Sequence, residues 1–236
     1  MESLVDALRG VLVRQERPDI QVIVLAGVIA GAVVIYRPTW QTARHVVTIA
    51  HEASHGIAAL VSGRRLSGIR LHSDTSGVTV SSGRRSGPGM ILTAAAGYIG
   101  PALIGLAAAY VLSAGYALAV LWGAIALLAL LLIQIRNWFG LWSVLVTGAG
   151  VFAVTWWAAE STQSAFAYLV VWFLLIASPR PVFELQRERS RRRTATSDAD
   201  QLGRLTFLPA GVWVGLFALV TLGALAGGAA LLLSPG

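Results

Sequence analysis

The chain has 236 residues, of which 56% are hydrophobic and 12% charged, with a mean hydropathy of +0.71. A soluble domain carries about 25% charged residues, so this composition excludes one and points to an integral membrane protein. With no cysteine, disulfides and thiolate metal ligands are excluded, and the net charge of +7 comes from arginines in loops beside apolar blocks, a pattern for anionic headgroups and not for nucleic acid.

In chain order, residues 1–19 carry Glu2, Asp6, Glu16 and Asp19, unlike the basic start of a signal peptide. Leu4, Leu8 and Val11 share one helical face, which predicts a short interfacial helix in an N-terminal cytoplasmic segment. A membrane core spans residues 20–178, with apolar blocks near the length of a bilayer crossing at about 20–36, 43–62, 89–113, 117–135, 141–159 and 164–178. The segment "GIRLHSDTSGVTV" (68–80) alternates apolar and polar residues on either side of a turn-rich "SDTSG", which predicts a β-hairpin directly after the 43–62 helix. Residues 179–196 contain "RERSRRR" (187–193) and read as a basic linker facing lipid headgroups. Residues 197–236 carry the last helix, with a final block at 209–233. Because the fifth and sixth blocks are short, the expectation is an all-α polytopic membrane protein of six to seven transmembrane helices.

Counting arginines by loop orients the chain. With the N-terminus in the cytoplasm and seven crossings, only Arg37 and Arg44 fall outside. The hairpin and the basic linker then lie on the cytoplasmic side.

The second block contains "HEASH" (51–55). His51 and His55 are four residues apart, about 40° around a helix, so both imidazoles reach one ion, and Glu52 can address a water beside it. This is the HExxH zinc pattern. An ionisable group at mid-bilayer costs about 2.5–3.5 kcal/mol, and a divalent cation offsets that cost for three such groups together.

Four stretches, "HEASHGIAALVSG" (51–63), "AGYIGPALIG" (96–105), "RNWFG" (136–140) and "SDADQLGRLTFLP" (197–209), taken in this order, resemble the small bacterial branch of the site-2 proteases, which are intramembrane zinc metalloproteases. The resemblance implies hydrolysis of a peptide bond in or near a transmembrane segment of a membrane-protein substrate, in a bacterial cell membrane. It implies zinc held by His51, His55 and a distant aspartate, with Glu52 as the general base. The wider class has an Asp-Gly pair at the third ligand, where this chain has Asp-Ala-Asp.

Catalytic zinc takes three protein ligands and one open position. His55 lies about 10 Å from the cytoplasmic end of its helix, so the third ligand comes from the cytoplasmic half. Glu160, at the outer end, drops out, and Asp74 and His72 in the hairpin are exposed. Asp198 shares a helical face with Leu202 and Leu205, while Asp200 stands four before Arg204 in a solvent-type pair. Asp198 is the first candidate and Asp200 the second, and Ser197 followed by acids is also an ordinary helix cap. Asn137, at a cytoplasmic boundary, either hydrogen-bonds a developing oxyanion or caps a helix. His45 points about 240° away from His51 and stands outside the cluster. Gly97, Gly100 and Gly105 allow close helix contact with the histidine helix. The alternatives to a protease are a zinc hydrolase of a lipid ester or amide, and a non-catalytic membrane scaffold with a relic motif.

Overall fold

A computed structural model describes residues 10–11, 13–191 and 197–234. The helices are α1 (Ile20–Ile35), α2 (Arg37–Val61), α3 (Pro88–Ser113), α4 (Ala117–Gln134), α5 (Trp138–Trp157), α6 (Glu160–Ala177), α7 (Pro179–Arg191), α8 (Asp198–Thr206) and α9 (Ala210–Leu233), and the strands are β1 (Arg65–Leu71) and β2 (Gly77–Ser82). Leu4 and Leu8 of the expected interfacial helix lie outside the described residues, as do Arg192 and Arg193 of the basic run.

Among the described residues, five helical stretches are long and apolar enough to cross a membrane: α3, α4, α5, α6 continued by α7, and α9. A sixth exists if α1 and α2 count together, since they meet at a bend of 102°. Tyr36 is extended (φ −73°, ψ 118°) and ends α1, and Pro38 sits in the first turn of α2, where its missing N–H costs nothing. The sequence reading counted these blocks as two crossings. They join through one residue with no polar loop, and Val34, Trp40, Val47 and Ala177 pack together across the bend.

This junction changes where the N-terminal segment lies. Gln15 N–H donates to Gly115 O at 2.8 Å, and its side-chain oxygen accepts from Leu118 N–H at 3.1 Å. Arg17 donates to Leu232 O, near the end of α9, at 2.8 Å. Both contacts are at the end of α3 remote from the hairpin, about 39 Å along its axis. Residues 13–17 and the hairpin thus lie at opposite ends of α3, where counting α1 and α2 as two crossings puts them on one side.

The stretch read as a linker is also different. Pro179–Arg191 is helical and extends α6. Val182 and Leu185 are buried with Ala94, Ala199, Leu202 and Phe217, so α7 packs against α3, α8 and α9.

β1 and β2 pair antiparallel, with Leu71 opposite Gly77 and Ile69 opposite Thr79. The other edge of β1 is covered. Ile135 forms a parallel bridge to Ile69, and Arg136 N–H donates to Ile69 O at 2.9 Å. Asn137 continues this edge with its side chain, accepting from Leu71 N–H at 3.1 Å and donating to Leu71 O at 2.6 Å. Gly68, at φ +147°, leaves the space that the Arg136 side chain occupies. Among the described residues, the outer edge of β2 is the one left open.

Candidate metal centre

α2 and α3 pack antiparallel, and small residues set how closely. A Cβ on Gly100 would overlap Ser54, and one on Gly97 would overlap the Nε2 atoms of both His51 and His55. Pro101 has no N–H for the Gly97 carbonyl, so the helical ladder of α3 is interrupted beside the two imidazoles.

His55 is buried, and its Nδ1 lies 2.6 Å from Thr93 O. A carbonyl only accepts, so Nδ1 carries the proton and Nε2 presents its lone pair to the site. The Nε2 atoms of His51 and His55 are 3.1 Å apart. The Oδ2 atom of Asp198, in the first turn of α8, lies 3.3 Å from His51 Nε2 and 3.2 Å from His55 Nε2. Three electron-pair donors thus converge in a group that could hold a metal ion. A tetrahedral ion with bonds of about 2.0–2.2 Å has ligand–ligand edges of about 3.3–3.6 Å, and the three donors stand at or just inside the short end of that range, at 3.1–3.3 Å. The ring of Tyr98 stands edge-on to His51 at 4.9 Å and stacks on Phe217 at 5.1 Å, walling the site with apolar surface.

Asp200 is the other candidate from the sequence, and it has different partners. Ser197 and Asp200 form a capping box, with Ser197 N–H donating to Oδ2 at 3.1 Å, and Arg189 of α7 pairs with Oδ1. Burial pulls the Asp200 pKa upward, but the hydrogen bonds from Ser197 and Arg189 outweigh it and hold the carboxyl below its usual range. The solvent-type pair of Asp200 with Arg204 is thereby replaced: Asp200 is only 8% exposed and faces α7. One acid of the Asp-Ala-Asp triplet caps and docks α8, and the other faces the histidines.

Glu52 follows His51 in the chain and so points about 100° away from it, toward the hairpin. It is 4% exposed, and its Oε2 accepts from the Thr79 hydroxyl at 2.5 Å. Asn137 joins neither the metal-ligand group nor, through its side chain, the cap of α5. Its amide bonds the Leu71 backbone, accepting from the N–H and donating to the carbonyl as a neighbouring strand would. Asp74 is exposed and bound to the Ser76 hydroxyl at 2.6 Å and N–H at 2.9 Å, which keeps its carboxyl below the usual range. His72 is within 3.3 Å of Ser76 in the same turn. His45 packs its ring on Phe139 at 5.4 Å, away from the cluster. Glu160 begins α6 at the remote end.

Thr93, Tyr98, Gly77 and Thr79 had no signal as site residues in the sequence. Thr93 acts through its backbone carbonyl, which any residue supplies, and Thr79 lies across a tertiary contact.

A family model described as Peptidase M50B-like matches residues 24–228. No curated protein and no solved structure matches the chain.

Proposed function

Because the chain belongs to the Peptidase M50B-like family, which is the site-2 protease family, it is a membrane metalloprotease by descent, and we propose that it hydrolyses a peptide bond in or near a transmembrane segment of a membrane-protein substrate. The observation that carries this reading is the convergence of His51 Nε2, His55 Nε2 and Asp198 Oδ2 within 3.1–3.3 Å of one another, with Glu52 adjacent in the chain. These three residues would hold zinc. When bound, the ion supplies Lewis acidity toward a carbonyl oxygen and lowers the pKa of water at its open position.

The protein's own groups do the rest. Thr93 O fixes the His55 tautomer. Glu52 accepts the proton from the attacking water and returns it to the leaving amine. Tyr98 and Phe217 wall the site with apolar surface, which keeps the local dielectric low. A helical substrate has its carbonyls engaged and must unwind. The open outer edge of β2, where Val78 and Val80 are each 48% exposed, offers backbone groups to an added strand. A lipid ester hydrolase has no use for such an edge.

The hairpin end carries Arg64, Arg65, Arg70, Arg84, Arg85 and Arg136, which favours the cytoplasm for that end. The test is metal analysis and cleavage of dye-labelled β-casein, an unfolded polypeptide, by purified full-length protein. Wild type is expected to bind one zinc and cleave. His55→Ala and Asp198→Ala lose the metal, and Glu52→Gln keeps it without cleaving. Zinc retained at wild-type level in Asp198→Ala would remove that ligand, and cleavage by Glu52→Gln would remove the general base.

A further inference from the structure

The hairpin contributes more than an edge. Thr48 and Glu52, four apart on one face of α2, tie it to that helix: the Thr48 hydroxyl donates to Thr75 O at 3.0 Å, and Glu52 receives Thr79. The Thr79 hydroxyl has one proton and two nearby acceptors, Glu52 Oε2 at 2.5 Å and Glu52 O at 3.1 Å. The backbone oxygen already serves the helical ladder, and the short contact has the length of a charge-assisted O–H···O⁻ bond. Gly77, one step along the same face of β2, leaves room for the same carboxyl group. A Cβ there would stand 2.5 Å from Glu52 Oε1 and 2.7 Å from its Cδ. Gly77 does not have a positive φ, so its backbone admits any residue, and the missing side chain answers to Glu52 alone.

From these contacts we infer that Gly77 and Thr79 are positioning residues for the Glu52 carboxylate: β2 forms a seat that fixes the acid–base group of the site. The inference rests on the protease reading for the role of Glu52. It makes the strand with the open edge also the strand that aims the base, so a substrate segment joining β2 is held in register with the group that acts on it.

The test uses Thr79→Val, Thr79→Ser and Gly77→Ala in the full-length zinc-loaded protein with dye-labelled β-casein. The expected result is a loss in kcat of tenfold or more for Thr79→Val and Gly77→Ala. KM stays within twofold, zinc content is unchanged, and Thr79→Ser recovers to within threefold of wild type. A risen KM with kcat retained would make β2 a binding strand only and overturn the inference, as would an unaffected Thr79→Val. A second measurement needs neither zinc nor activity: the thermal unfolding midpoints of the metal-free Glu52→Ala, Thr79→Val and double variants. If the two groups are bonded, the double variant falls no further than the worse single one, and additive losses overturn the inference. Failure of the wild type to cleave casein would count against the protease reading, and the metal-free cycle would still decide the seat.

Discussion

Gly97 is the residue on which the metal centre is most exposed to a single methyl group. A Cβ there would take the space of two ligand nitrogens, yet α3 tolerates alanine at a helical position and gains from it in propensity. Gly97→Ala is therefore expected to lower zinc affinity at least tenfold in a chelator competition, while the metal-free protein unfolds at or above the wild-type temperature. Equal loss of metal affinity and of metal-free stability would assign Gly97 to packing alone. At this scale the sequence was legible where chemistry is local. His51 and His55 are ligand-like by spacing within one helix. The choice between Asp198 and Asp200 depended on which face of α8 meets α2, and only Leu202 and Leu205, about one and two turns along the helix from Asp198, hinted at it. Thr79, 27 residues beyond Glu52, and the Thr93 carbonyl leave no trace in spacing or residue type.

Among the elements, α8 governs how the candidate third ligand, the Asp198 carboxylate, is presented. It has nine residues, too few to persist on its own helical propensity. It is held by the Ser197–Asp200 capping box, by Arg189 from α7, and by Ala199 and Leu202 in the core. Removing a cap costs about 1 kcal/mol, and loosening the support of a ligand typically lowers metal affinity by about 10–100-fold. Ser197→Ala and Arg189→Gln are thus expected to weaken zinc binding roughly tenfold, with KM for casein unaltered, since neither residue touches the β2 edge. A wild-type zinc affinity in both would detach α7 from the site. The helical blocks themselves were legible because lipid-facing spans are apolar along their length. The Pro179–Arg191 helix was not, because its charge density resembles a solvated loop and its stability comes from Val182 and Leu185 packing on three other elements. The edge strand 135–137 was missed for a similar reason: three residues have no periodicity, and Asn137 does with its side chain what a backbone would do.

For the whole molecule, the number of crossings decides which face of the membrane each end meets. A run of apolar residues measures length, and residues 20–36 and 43–62 each have enough for a span. Neither reveals the extended Tyr36, at which α1 and α2 meet in a bend of 102°, so that the pair counts as one broken crossing at most. With α1 and α2 as one crossing, followed by α3, α4, α5, α6–α7 and α9, the count is six, and an even count puts both termini on one side. Arg17 on Leu232 O agrees with this, since it ties the N-terminal segment to the end of α9. With the hairpin end placed in the cytoplasm by the arginine bias, a six-crossing count predicts residues 13–17 on the opposite face. The chain contains no cysteine, which makes single thiols clean reporters. Glu16 and Ser73 are both exposed, at opposite ends of the bundle. In intact cells an impermeant maleimide is expected to label Glu16→Cys and spare Ser73→Cys until the membrane is permeabilised. Labelling of neither position in intact cells, with both labelled after permeabilisation, would restore seven crossings. That result would require α1 and α2 to part at Tyr36 into two full spans, separating Trp40 and Val47 from Val34 and breaking the packing that now closes the bend.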